Sequence, residues 1–249
     1  MTEPPLPAPD DERRAQLAAN LARVRSRIDA ACAAAGRDPA GVTMVAVTKT
    51  YPAADVTLLA GLGVRDVGEN RDQEAAPKAA EVAAAGARVR WHFVGQLQRN
   101  KARSVVRYAD LVHSVDSVRL ADALADAAAR HREAPLEVLV QVNLDGAADR
   151  GGALVAGDDP DRSVDRVAAA VAGADSLRLA GVMAVAPLGA EPEPGFATLA
   201  EVAARLRVEH PAALAVSAGM SGDLEAAVAY GATHVRIGSA LLGMRSTLR

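Results

Sequence analysis

The chain has 249 residues, half of them apolar, with a net charge of −3 and a single cysteine, Cys32. So slight an acidic excess gives no broad electrostatic case for nucleic acid or an anionic membrane, and one cysteine excludes an intramolecular disulfide and any cysteine-cluster metal site. Only six residues are aromatic, so the core must be built from Ala, Val and Leu, in one large α/β domain or two small ones.

Residues 1–10 hold four prolines and no periodic pattern, and are expected to form a disordered tail ahead of one folded unit spanning 11–249. This acidic, proline-rich start is unlike a secretory signal, and no apolar run approaches the length of a membrane span; a soluble, cytoplasmic protein is expected. From Asp11 to Ala35, Leu17, Leu21, Val24 and Ile28 recur at helical spacing, and Gly36 closes the helix. Beyond it, β-branched runs at 42–48, 64–68, 89–94, 110–114, 136–143, 178–185, 213–217 and 233–237 predict strands. Alanine-rich stretches at 53–62, 70–85, 97–107, 117–131, 161–174, 194–208 and 222–230, with a short one from Ser239, predict the intervening helices. The loops near Gly151–Pro160 and Gly189–Gly195 are the longest, and no composition break marks a second domain. Eight strand–helix units without long hairpin signals fit the α/β class, as a single (β/α)8 TIM-type barrel with an extra N-terminal helix. Alternation alone does not show closure, so a doubly wound open sheet is the competing architecture.

In such a barrel the active site lies at the C-terminal ends of the strands, and the unusual residues of this chain gather there. Lys49 follows the first strand; only Lys49, Lys78 and Lys101 stand among 28 basic residues, the other 25 being arginine. A desolvated lysine amine loses its proton and attacks a carbonyl, which arginine does not, so Lys49 points to a Schiff base. The plainer alternative is a strand-end lysine whose stem covers apolar surface while its head reaches water. Gly68-Glu69-Asn70 ends the second strand, His92 lies in the third and His113 in the fourth. Both histidines read first as hydrogen-bonded core residues, with acid–base roles as the alternative, and Glu69 as a structural ion pair.

Gly219-Met220-Ser221-Gly222 after the seventh strand and Gly238-Ser239 after the eighth resemble a phosphate cradle: glycines admit an anion to backbone amides, serines add hydroxyls, and a helix opens at once. Each loop taken alone also reads as a helix cap. Arg236, in an otherwise apolar eighth strand, needs a buried partner, either an internal carboxylate or the ring nitrogen of a heterocycle. A lysine amine, a phosphate cradle and an arginine facing a ring nitrogen together describe a site for pyridoxal 5′-phosphate, whose aldehyde, phosphate and pyridine nitrogen need these three groups. No histidine–carboxylate spacing suggests a metal.

The segments VAVTKTYP (45–52), VGENRDQE (67–74), WHFVGQLQRNK (91–101), HSVDS (113–117), GVMAVAP (181–187) and SAGMSGDLEAAVAYGATHVRIGSALLG (217–243) resemble the pyridoxal phosphate homeostasis proteins, single-domain barrels related to the barrel half of alanine racemases. The resemblance implies that Lys49 carries the cofactor as an aldimine. It puts Arg236 at the pyridine nitrogen, Ser221, Gly238 and Ser239 at the phosphate with Met220 beside them, and Asn70 at the ring. It further implies a role in vitamin B6 supply, with apo forms of pyridoxal phosphate enzymes as candidate recipients. Three positions depart from the family pattern: Ala218 where methionine is usual, Ser239 where threonine is frequent, and Arg150 where many members carry lysine.

A non-catalytic carrier is the favoured reading and a low-activity amino-acid racemase the alternative. Racemisation needs a second proton-transfer group opposite the lysine. The related racemases bring a tyrosine from a further domain, whereas Tyr51, Tyr108 and Tyr230 are not obvious substitutes, the last two falling in predicted helices. An arginine at the ring nitrogen also weakens the electron sink. A protein-interaction role rests only on the proline-rich tail and the basic stretch Gln96–Arg103. A monomer is expected, with no nucleic acid and no membrane as partners.

Overall fold

The β-branched runs form strands β1 (Thr43–Val47), β2 (Asp66–Glu69), β3 (Arg90–Phe93), β4 (Leu111–Val115), β5 (Leu136–Asn143), β6 (Ala153–Leu154), β7 (Leu177–Met183), β8 (Ala215–Ser217) and β9 (His234–Ile237). In this computed structural model, which describes residues 9–146, 151–157, 159–187 and 189–243, every strand pairs in parallel with its neighbours. β4 pairs with β5 and β1 with β9, so eight strands close into a barrel and the open sheet is excluded. The two-residue β6 lies outside the ring, an appendage beside the exit of β5 through Val142↔Ala153. Around the barrel run α1 (Pro9–Ala34), α2 (Ala53–Gly61), α3 (Asp72–Ala84), α4 (Ala102–Val105), α5 (Val118–His131), α6 (Val164–Ala172), α7 (Pro192–Glu209), α8 (Leu224–Ala229) and α9 (Ser239–Leu242).

Strand alternation sorts the residues into two shells. Val235 and Ile237 of β9 are fully buried against the helices, in a cluster with Leu17, Leu21 and Val24 of α1. A second cluster packs α5, α6 and α7 on β4, β5 and β7. Within the ring the apolar filling is small, centred on Leu111, Leu139 and Met183. The rest of the interior is polar: His92, His113, Ser217 and Arg236 are all buried. Buried polar groups of this kind persist only when hydrogen-bonded, so they impose a specific arrangement.

Several boundaries differ from expectation. The first helix opens at Pro9, two residues early, because proline at the start of a helix gives up an N–H that would have no partner there; residues 1–8 lie outside the described part of the chain. The same reason places Pro192 inside the first turn of α7, so much of the predicted loop at Gly189–Gly195 is helix. The expected helix at 97–107 is a 3-10 turn (Arg99–Lys101) followed by the single turn of α4. Tyr108 and Tyr230 fall in turns rather than inside helices. No helix among the described residues is long and apolar enough to cross a membrane.

Candidate functional site

Lys49, Asn70, Met220, Ser221, Arg236, Gly238 and Ser239 line one cavity of about 540 Å³ at the C-terminal mouth of the barrel. The strand expected at 42–48 stops at Val47, and of the two readings of Lys49 the structure shows the exposed one, its head reaching solvent at the mouth. Thr48 is buried on the helix-facing side, between Val47 and Lys49, which both line the cavity. Its hydroxyl donates to Glu69 Oε1 at 2.7 Å, and its carbonyl accepts from Lys78 Nζ of α3 at 2.9 Å. The following turn is equally constrained: Thr50 adopts φ 67°, rare for a β-branched residue, and its N–H donates to Glu74 Oε2 at 3.2 Å. The backbone on both sides of Lys49 is therefore held, and no hydrogen bond or ion pair engages its amine among the described residues.

Glu69 has no exposed surface and forms an ion pair with Lys78 at 2.6 Å in the layer between barrel and helices, the structural role expected of it. Burial pushes its carboxyl up, against the hydrogen bonds from Lys78 and Thr48. Asn70 continues into the mouth, where the chain leaving β3 presses on it so closely that a Cβ on Gly95 would lie 2.1 Å from the Asn70 carbonyl oxygen. Asn70 Oδ1 is buried and has no hydrogen-bond partner among the described residues. Such an atom costs about 1–3 kcal/mol unless a ligand or water satisfies it.

On the opposite wall, Gly219 turns with φ 87°, and a Cβ there would come within 2.6 Å of the Ala227 side chain. The Met220 N–H donates to Asp223 Oδ1 at 2.5 Å. The helix expected to open at once is delayed, α8 starting only at Leu224, so Ser221 and Gly222 form a turn at the cavity wall. Only the second loop behaves as predicted, with α9 starting at Ser239 immediately after Gly238. The two loops meet through the Ala240 N–H and Ser221 Oγ at 3.5 Å.

The extra helix α1 braces this wall. Arg27 donates to the Ser221 carbonyl at 3.0 Å and pairs with Glu225 at 2.9 Å, while Asn20 and Arg13 donate to the carbonyls of Leu241 and Leu242 at 2.8 and 3.1 Å. Sequence reasoning missed Arg27, Asn20 and Arg13. They sit on an ordinary polar helix surface, and nothing in the pattern marks which loop they reach.

Arg236 meets neither of its two expected partners within the protein. Its Nη1 donates to the Ser217 carbonyl at 2.8 Å and to Ser217 Oγ at 2.7 Å, and Nη2 donates to the Ala184 carbonyl at 2.8 Å. Two of its five N–H groups remain for the cavity that it lines. Burial pulls Arg236 down to about 10, with Asp223 opposing, so the group is still charged at neutral pH. His92 and His113 are bonded to each other inside the barrel and do not line the cavity. Gln96, Leu97, Gln98 and Lys101 border a separate hollow with Asn70–Glu74. Arg150 lies outside the described residues.

Comparison with known proteins matches this frame. Residues 14–246 match the family model of the alanine racemase N-terminal domain. The chain is 45% identical over 244 residues to the pyridoxal phosphate homeostasis protein of Mycobacterium leprae, covering 93% of this chain and 94% of that one. It is 35% identical to PipY of Synechococcus elongatus, a structure solved with pyridoxal phosphate bound, at a TM-score of 0.75 over 92% of this chain and all of that one. Alanine racemase from Corynebacterium glutamicum shares the fold alone, at 16% identity and a TM-score of 0.67, and this chain covers 62% of it. The chain therefore belongs to the alanine racemase N-terminal domain family and, within it, to the pyridoxal phosphate homeostasis proteins.

Proposed function

We propose that the chain binds pyridoxal 5′-phosphate covalently through Lys49 and serves to hold and supply the cofactor rather than to turn over amino acids. The observation that carries this reading is the convergence of three unlike groups on one cavity: an unengaged amine, two serine-bearing glycine loops and a buried arginine with N–H groups to spare. Their chemistry fits an aldehyde, a phosphate and a ring nitrogen, and the orphaned Asn70 Oδ1 is a further polar contact for the ring substituents. When bound, the cofactor supplies an electrophilic carbon and a conjugated ring. The chain's own residues do the remaining work. Lys49 provides the attacking amine; Ser221, Gly238 and Ser239 hold the phosphate, with Met220 at their edge; Arg236 faces the ring nitrogen and keeps it unprotonated.

A carrier role is supported by the cavity lining. Its titratable side chains among the described residues are Lys49 and Arg236, with no tyrosine, histidine or carboxylate to work the face opposite the lysine. Tyr51 is turned away, donating to the Gly243 carbonyl at 2.6 Å. Borohydride reduction of the protein with pyridoxal phosphate, followed by peptide mapping, should yield a single adduct on Lys49, and incubation with alanine enantiomers should give no turnover. An unmodified Lys49 at saturating cofactor overturns the binding reading, and sustained racemisation overturns the carrier reading. In Arg236→Leu the adduct should still form, with a changed visible spectrum; an unchanged spectrum would put Arg236 away from the ring.

A further inference from the structure

Beneath the cavity, five polar side chains join in one line through the barrel interior, each from a different strand. Arg236 Nη1 donates to Ser217 Oγ at 2.7 Å, and Ser217 Oγ lies 2.9 Å from His113 Nδ1. His113 Nε2 lies 2.8 Å from His92 Nδ1, and His92 Nε2 lies 2.9 Å from Asp66 Oδ1. The four residues from Arg236 to His92 are at most 5% exposed, while Asp66 opens β2 at the far end of the barrel with its side chain 18% exposed.

The proton order along this line follows from its two ends, Arg236, which can only donate, and the Asp66 carboxylate, which can only accept, once both histidines are neutral. Ser217 Oγ accepts from Arg236, and with the neutral His113 protonated on Nε2 by the chain of bonds that ends at Asp66, its Nδ1 is free to accept the Ser217 hydroxyl proton. His113 then carries its proton on Nε2 and gives it to His92 Nδ1. His92 in turn carries its proton on Nε2 and gives it to the Asp66 carboxylate. The ionisation states agree. Burial, with His92 and Arg236 nearby, holds His113 well below the usual histidine range, and burial lowers His92 against the pull of Asp66. Burial alone would push the Asp66 carboxyl up, but the His92 hydrogen bond and the charge of Arg90 outweigh it. His234 flanks both imidazoles at ring-centroid distances of 6.1 and 6.3 Å yet stands outside the line, its Nδ1 engaged by Thr233 Oγ1 at 2.8 Å.

We propose that Ser217, His113, His92 and Asp66 form a one-way hydrogen-bond relay that positions Arg236, fixing its guanidinium plane at the floor of the cavity. The relay rests on the reading of Arg236 as the group that faces the cofactor's ring nitrogen. Its physical logic is that no carboxylate touches the guanidinium among the described residues. A carboxylate in direct contact would cancel the positive field that a ring nitrogen meets. Asp223 acts on Arg236 through space without touching it. The charge that ends the line stands at Asp66, three neutral groups away, reaching Arg236 as a set of aligned dipoles that make Ser217 Oγ a better acceptor. Orientation is thereby secured without neutralisation.

The test has one arm without cofactor and one with it, on the full chain. In the cofactor-free protein, 15N NMR of labelled histidine should show His92 and His113 both neutral with the proton on Nε2, and the Arg236 Nη groups should give separate, slowly exchanging signals. Ser217→Ala should merge the Nη signals and Ser217→Thr should restore them, with circular dichroism confirming that both variants fold. A proton on Nδ1 of either histidine, or unmerged signals in Ser217→Ala, overturns the relay. With pyridoxal phosphate bound, Ser217→Ala and Asp66→Asn should shift the visible band in the same direction, the second by less, while Lys49 keeps its borohydride-fixed adduct. An unshifted band in Ser217→Ala overturns the relay with the adduct intact. A wild-type protein without adduct removes the cofactor reading, and the NMR arm then still decides the relay.

Discussion

The two walls of the cavity hold their cations in opposite ways. At Lys49 the protein fixes the backbone and leaves the side chain unengaged: Thr48 is clamped by Glu69 and Lys78, Thr50 by a left-handed turn, and the amine stands exposed. At Arg236 the protein fixes the side chain itself, through the Ser217 carbonyl and hydroxyl and the Ala184 carbonyl. Under the proposed function Lys49 forms and releases a covalent bond, which needs reach and access to solvent protons, and Arg236 presents its charge to the ring. A group that must present charge in one direction needs the reverse. The difference teaches that what marks each residue in the sequence, a scarce lysine just past a strand and an arginine within an apolar one, does not say how either is held.

Removing the reactive group is the largest way to break this comparison. Lys49→Ala should abolish the borohydride-fixed adduct entirely, while urea unfolding moves by no more than about 0.5 kcal/mol, because an exposed side chain without partners is lost. A large loss of stability would mean that Lys49 is part of the fold's own packing. Next in size is the clamp behind it. Glu69→Ala strands the Lys78 ammonium in the interior and should cost roughly 3–5 kcal/mol in urea unfolding. Glu69→Leu with Lys78→Met should regain most of that, since an apolar pair can replace a buried ion pair. The double variant still lacks the donor to the Thr48 carbonyl, so it should form the Lys49 adduct more slowly despite its recovered stability. Unchanged adduct kinetics would show that the turn at Thr50 suffices to place the lysine.

Much of this was legible in the sequence, for a physical reason. The strand–helix units follow from eight β-branched runs alternating with helices, and β5 spans Leu136–Asn143 as its pattern predicts. Closure into a barrel rests on the β1–β9 and β4–β5 pairings, which alternation does not show. All seven candidate site residues fall on one cavity because parallel strands of a barrel end at one mouth. What could not be read was the partner of each buried polar group. The carbonyls of Ser217 and Ala184 that hold Arg236 carry no side-chain signature, and Arg27 of α1 reaches Ser221 across 194 residues of chain. The sequence leaves open whether Lys49 is desolvated or reaches water, because alternation puts Val47 and Lys49 on the cavity side and Thr48 against Glu69 and Lys78 but does not say how open the mouth is.

Acid sharpens the contrast between the walls because the barrel interior on the Arg236 side holds three histidines. His92, His113 and His234 all resist protonation in the fold, His234 down to about 4, chiefly through burial. In the unfolded chain each takes up a proton near its ordinary value of about 6.5. The unfolded state therefore binds more protons below that point, and stability falls as pH drops from about 6.5 towards 4. His234 alone should account for roughly 3 kcal/mol across this window. Urea midpoints measured between pH 7.5 and 4.5 should be flat above about 6.5 and decline below it. The decline should shrink in a His234→Asn variant, and an equal decline there would assign the acid sensitivity to the His92–His113 pair.

The smallest expected effect is the most discriminating for the cradle. Arg27 and Glu225 form a half-exposed pair, with 38% and 52% of their side-chain surface open, so their mutual attraction is worth less than about 1 kcal/mol. Arg27→Ala should scarcely move the melting temperature, as should Arg205→Ala, which breaks a similarly exposed pair with Asp165. The two should part company in binding. Arg27 also fixes the Ser221 carbonyl, and the Ser221 turn is one lip of the cradle, so its loss should weaken pyridoxal phosphate a few-fold and leave the phosphate-free aldehyde pyridoxal untouched. Arg205, which touches no cradle residue, should change neither. Equal weakening of both ligands by Arg27→Ala would mean that α1 steadies the whole mouth, and the division of the cavity into a covalent wall and a phosphate wall would have to be abandoned.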